Sequence, residues 1–204
     1  MCYSYNVSII SFVLAMLSGL YAISNGKKTL GLLILTYGQM QLSEALIWKG
    51  IDENCRKSNE LGTLWGKYTL PSHNMAIGLG IYLESKEILP LILGILFYLY
   101  VVYGIYDNKE PKITTSCEDN KSCPSDLTGK LQWPYRHDWY TISYAISVIF
   151  LLFYIKQTKY RNYCIVFFTS TFFITHLMSK NNVLGSFWCW SAAILSPLLV
   201  YLCS

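Results

Sequence analysis

The chain has 204 residues, of which 53% are hydrophobic and 14% charged, and its mean hydropathy is +0.33; that is more apolar surface than a water-soluble core of this size can bury. The formal net charge of +4 comes from basic residues scattered through short connectors, with no basic stripe interleaved with stacking aromatics, and this excludes nucleic acid as a partner. What remains is an all-α integral membrane protein, because a bilayer solvates apolar side chains directly and requires only that backbone polar groups be satisfied within helices.

Seven apolar stretches approach the roughly 20 residues that a helix needs to cross about 30 Å of hydrocarbon. They run from Val7 to Ser24, Thr29 to Trp48, Leu61 to Leu83, Ile88 to Tyr106, Trp139 to Ile155, Tyr163 to Met178 and Val183 to Leu202. The third carries Lys67, Pro71, His73 and Asn74, and the sixth is short; without one or both, the count falls to six or five. The expectation is one domain over residues 1–204, a bundle of about seven transmembrane helices in contact with the lipid bilayer.

Nothing basic precedes the first stretch, while Lys27 and Lys28 follow it directly after Asn25-Gly26, the reverse of a signal peptide's charge order. Basic residues resist translocation, so this order predicts the N-terminus outside and the C-terminus cytosolic. The cytosolic connectors are then those with Lys27 and Lys28, with Lys86, and with Lys156, Lys159 and Arg161. The long connector between the fourth and fifth helices, residues 107–138, falls on the outer side. Trp133-Pro134-Tyr135 at its end reads as an interfacial segment, the zone that the abundant Tyr and Trp of this chain suit. The outer side also receives Cys55, Cys117 and Cys123 and the Asn120-Lys121-Ser122 glycosylation pattern. An oxidising lumen permits a disulfide among those three cysteines, with the pairing open between Cys117–Cys123 and a bond from Cys55 to either. Cys164, Cys189 and Cys203 read as small apolar packing residues, with palmitoylation of Cys203 the alternative.

Ionisable groups inside apolar stretches carry the most information, because a charge in hydrocarbon is expensive unless it faces a partner or water. Glu44 is the clearest, and helical spacing puts Tyr37, Gln41, Glu44 and Trp48 on one face. Lys67 stands at a matching depth in the third helix, within reach of an ion pair with Glu44. Lys67, Pro71 and Asn74 share a face, with His73 on another, and Pro71 frees a backbone carbonyl. Gly62 with Gly66 and Ala76 with Gly80 have the small-xxx-small spacing of close helix contacts. In the predicted topology Cys2, Ser4, Glu44, Lys67, Arg136-His137-Asp138 and His176 gather toward the outer side, with His73 nearer the middle, suggesting an outward-opening polar vestibule. A metal site would draw on His73, His137, His176 and Cys2, but neither HExxH nor HxxxH spacing is present.

The opening Met1-Cys2-Tyr3-Ser4 with Ser8, then Met40-Gln41-Leu42-Ser43-Glu44 with Trp48, and later Gly129-Lys130-Leu131-Gln132-Trp133, resembles a family of uncharacterised multi-pass membrane proteins of large DNA viruses and bacteria. Its members open on Met-Cys-aromatic-Ser or Met-Cys-aromatic-Asn and carry Gln, Glu and Trp in the second span. The resemblance covers roughly the first fifty residues and one later segment. It implies a multi-pass membrane fold and no particular activity, and it directs attention to Cys2, Gln41, Glu44, Trp48 and Trp133.

Three functions fit this reading. The leading one is a site around Glu44, Gln41, Lys67, His73 and Asn74 that binds or transports a small polar solute, a cation or a proton. The second is a membrane-embedded, metal-dependent enzyme acting on a lipid-like substrate, and the third a structural or interaction protein of a viral or cellular membrane. Sequence alone leaves open whether the chain is an enzyme, which cofactor it would use, its oligomeric state and which membrane holds it.

Overall fold

A computed structural model describes residues 4–53, 56–106, 138–178 and 184–203, with side chains excluded at 56, 105–106, 138–141, 175–178 and 184–192. These residues form an all-α bundle of seven packed helices: α1 (Tyr5–Ser24), α2 (Lys28–Asp52), α3 (Arg56–Ser85), α4 (Ile88–Tyr106), α5 (Asp138–Leu152), α6 (Thr158–Met178) and α7 (Leu184–Cys203). Each overlaps one predicted apolar stretch. Among the described residues one helix, Tyr5–Ser24, is long and apolar enough to cross a membrane, while Ile88–Gly104, Ile142–Leu152 and Ala193–Cys203 are shorter apolar runs. The connector 107–138, expected on the outer side, lies almost wholly outside the described residues, and Cys55, Cys117, Cys123 and Asn120 lie outside them.

Local chemistry sets the helix ends. Ser4 caps α1 by accepting from the Val7 amide at 3.4 Å, and the helix stops at Asn25-Gly26, where Gly26 takes φ +78°, a conformation that favours glycine. The α3–α4 turn passes through Lys86 at φ 64°. Pro71 and Pro197 lie inside α3 and α7. Proline removes the amide that would bond the carbonyl four residues back. In α7 that carbonyl, Ala193 O, accepts instead from the Ser196 hydroxyl at 2.7 Å, the kind of repair that lets a proline persist in a buried helix.

The helices close a ring in chain order: each packs on its chain neighbours and α7 returns to α1, with α2–α7 and α3–α5 contacts crossing the interior. Glycines set how closely the first four approach. A side chain at Gly31 would meet Gly19 O at 2.6 Å, at Gly62 Ser43 O at 2.7 Å, and at Gly94 Asn74 O at 2.6 Å; these helices touch backbone to backbone. Gly62 and Gly80 do face α2 closely, as their spacing suggests. Gly78 against Pro90 in α4, and the Gly19–Gly31 contact, are further contacts of the same kind.

The core is apolar, with Leu30, Ile34, Met40, Ile77, Leu151 and Phe168 among its buried side chains, but the bulk of α1 faces outward. On α1 the buried positions are Ser8, Ser11, Ala15, Ser18, Gly19 and Ala22, one small-residue stripe at helical spacing, whereas Ile10, Leu17, Leu20 and Tyr21 are each more than half exposed. Large exposed apolar side chains occur on α1 and on α3 through α7, including Leu96, Tyr103, Ile146, Val166, Phe173, Leu198 and Tyr201. Helix α2 has none among its residues. It is the encased helix, and its buried face includes Tyr37, Gln41, Ser43 and Glu44.

Candidate functional site

The interior face of α2 carries Tyr37, Gln41 and Glu44, one turn apart in succession, and all three are buried. The Gln41 amide donates to Glu44 Oε2 at 3.4 Å. Below Glu44 the Ser43 hydroxyl donates to Gly62 O at 2.6 Å and fixes α3 against this face. Trp48, next along the stripe, is partly buried, and its indole Nε1 has no hydrogen-bond partner among the described residues.

Helix α3 brings His73 and Asn74 to the centre, both with no solvent exposure. Tyr37 meets the His73 ring edge to face, with centroids 4.6 Å apart and planes at 72°. On its other side His73 Nδ1 lies 2.5 Å from the Tyr144 hydroxyl of α5. One turn along α5, the Ser147 hydroxyl sits 3.0 Å from Asn74 Oδ1 and 2.8 Å from Tyr144 O. Asn74 Nδ2 has no hydrogen-bond partner among the described residues.

The structure buries all four of Gln41, Glu44, His73 and Asn74, with Gln41 and Glu44 paired on α2 and His73 of α3 meeting that helix at Tyr37. His73 and Asn74 fall on neighbouring faces of α3, yet α5 engages both. Lys67 is only partly buried, its ammonium 6.0 Å from the Tyr68 ring centroid; the ion pair with Glu44 stays an expectation. Of the metal candidates, Cys2 and His137 lie outside the described residues, and so does the side chain of His176. No group of three or more His, Cys, Asp or Glu suited to a metal occurs among the described residues.

Sequence reasoning missed Tyr144 and Ser147. Their three-residue spacing on α5 would place both on one face, and that was the available signal. It also missed a second polar assembly at the other end of α2. There the Thr29 amide donates to Glu84 Oε1 at 2.7 Å and the Leu30 amide to the Tyr160 hydroxyl at 2.7 Å. These are two of the amides that a helix start leaves without intrahelical partners, and Lys27, the N-cap, supplies no side-chain cap of its own. Partial burial raises the Glu84 carboxyl above its usual range despite the Thr29 bond, and burial likewise pushes the Tyr160 phenol up. Lys27 donates to Gln157 Oε1 at 2.8 Å and stands 5.0 Å above the Tyr160 ring. Lys156 and Glu87 form an exposed ion pair of 2.8 Å. Lys27, Glu84, Lys156, Gln157 and Tyr160 line a cavity of about 250 Å³.

No family model, curated protein or solved structure matches this chain.

Proposed function

We propose that the chain is a multi-pass membrane protein in which the bundle crosses the bilayer and the α2–α3–α5 polar cluster binds and passes a proton or small cation. The membrane part is supported by the large aliphatic and aromatic side chains exposed on six helices, while Glu44, His73, Gln41, Asn74 and several serines are buried within an otherwise apolar core. In water that exterior would be an aggregation surface, and in lipid it is the solvated one. The orientation, N-terminus outside, is supported by the basic connectors Lys27-Lys28, Lys86 and Lys156 to Arg161, which gather at one end of the bundle.

The observation that carries the functional part is the fully buried His73, held 2.5 Å from Tyr144 and against Tyr37 of the α2 face that bears Gln41 and Glu44. Imidazole, phenol, hydroxyl and carboxyl are groups that give and take protons; the imidazole touches two phenols, of Tyr37 and Tyr144, and the carboxyl pairs with the Gln41 amide two turns along the same α2 face. Intramembrane carboxylates and histidines in such series mark ion and proton paths. Glu44 supplies the acceptor near the outer end, and His73 with Tyr144 continues the series toward the middle.

The test is flux in proteoliposomes. The parent protein should carry a proton or cation current, and Glu44→Gln, which keeps shape and hydrogen bonding, should abolish it while the bundle stays folded. Unchanged flux in the variant, or none in the parent, would refute this reading.

A further inference from the structure

At the basic end of the bundle the α1–α2 turn, the end of α3 and the α5–α6 turn enclose the 250 Å³ cavity, whose lining includes Lys27, Glu84, Lys156, Gln157 and Tyr160. It is a built site. Lys27 is held by both Gln157 and the Tyr160 ring, and Tyr160 and Glu84 are fixed by the first amides of α2.

The charge around it is one-sided. Lys27 and Lys156 line the cavity, and Lys28, Lys86, Lys159 and Arg161 stand on the same connectors and helix starts, against two acids, Glu84 and Glu87. Neither acid faces the cavity unengaged, since Glu84 Oε1 accepts from Thr29 and Glu87 pairs with Lys156. That pair also ties the start of α4 beside the cavity. Ile88 and Leu89 at that start, and Phe153 in the α5–α6 turn, are each at least half exposed, so a polar cationic pocket opens beside an apolar outer surface.

We propose that this cavity binds the phosphate of an anionic phospholipid, with the headgroup between Lys27 and Lys156 and the acyl chains along the apolar face of Ile88, Leu89 and Phe153. The ligand chemistry is a phosphodiester, and the adjoining apolar surface favours a lipid over free phosphate. Basic pockets between helix ends on the cytosolic side of a membrane take such headgroups, each lysine contributing close to a fivefold preference. The assignment rests on the membrane reading above and adds to it a specific lipid site.

Native mass spectrometry of the full chain in mild detergent tests it, with phosphatidylglycerol, phosphatidylcholine of the same acyl chains, and inorganic phosphate as separate probes. The parent should retain phosphatidylglycerol over phosphatidylcholine. The double variant K27Q/K156Q should lose about tenfold to thirtyfold of that affinity, and Lys49→Gln, at the opposite end of α2, none. Lys156→Gln alone, at an exposed side chain, should lose about fivefold without disturbing the fold. No preference for phosphatidylglycerol, equal retention by the variants, or binding of inorganic phosphate without lipid would overturn the proposal. Alkaline extraction of the membrane fraction reads the membrane assignment separately: release of the chain would refute that assignment, while headgroup selectivity in micelles would still be measured.

Discussion

Tyr144→Phe removes one oxygen from the interior and leaves a ring of the same shape. That oxygen lies 2.5 Å from His73 Nδ1, where His73 is wholly buried and Tyr144 is 4% exposed, so water does not replace it at the imidazole. A buried polar atom that loses its partner costs about 1–3 kcal/mol. With the bundle in a bilayer, as proposed, the net is smaller, about 0.6 to 1.7 kcal/mol, because the unfolded helices also find partners there. His73→Phe removes the other half of the contact, and H73F/Y144F replaces both polar groups by apolar rings, a change that can be nearly neutral.

Equilibrium unfolding of the four proteins by sodium dodecyl sulfate in mixed micelles, followed by circular dichroism, closes the cycle. Each single variant should be destabilised. The double variant should be less destabilised than the sum of the two by about 0.6 to 1.7 kcal/mol. Additivity to within about 0.5 kcal/mol would mean that the two groups do not interact, and it would remove the link joining α3 to α5 in the proposed series.

Gly80→Ala would place a methyl group on the Thr29 backbone; overpacking of about 1–3 kcal/mol, less the roughly 1 kcal/mol by which alanine exceeds glycine in helix propensity, predicts a net loss in the same unfolding assay. Tyr160→Phe should lower stability by about 1–3 kcal/mol, since the buried Leu30 amide loses the acceptor it has at 2.7 Å. The Glu84 carboxyl is raised above 4.5 in the folded chain, so between 4.5 and its folded value the native state holds more protons than the unfolded one. Its contribution to stability is therefore complete below pH 4.5 and is lost as pH rises through the folded value. Glu84→Gln should flatten that part of the pH dependence of the unfolding midpoint, and an unchanged slope would refute the assignment.

The helices were legible because apolar residues predominate in each predicted stretch, and α4 has the expected bounds, Ile88–Tyr106. Others continue past their apolar runs: α3 begins at Arg56 and α6 at Thr158, five residues before the predicted start in each case, because polar residues extend a helix where partners exist. Ser58 in the added turn of α3 donates to Leu46 O at 2.9 Å, and Tyr160 in the added turn of α6 receives the Leu30 amide. Glu44 and Gln41 were legible because polarity in an apolar run stands out. Glu84 and Tyr160 were not, since at a helix end such residues read as ordinary interfacial side chains. Their partners lie 55 and 130 residues away along the chain, and only the packing of α3 and α6 around the start of α2 reveals them.

That packing also explains why glycine contacts and polar groups occur on the same helices. On the proposed membrane assignment, lipid gives no hydrophobic drive for helices to associate, so close approach and interhelix hydrogen bonds must do it. Gly80 meets α2 at Thr29 and Gly62 meets it at Ser43, with His73 and Asn74 between them on α3. Fourteen residues of α2 separate Thr29 from Ser43, about 21 Å of helix at 1.5 Å per residue. Two backbone contacts that far apart fix both the depth and the rotation of α3 on α2, and hence the meeting of His73 with Tyr37. A slip of one turn, about 5.4 Å, would put side chains opposite both glycine sites and separate those rings. The register of the buried cluster is thus set at its two flanks, so a larger residue at Gly62 or Gly80 should disturb the His73 environment without touching it.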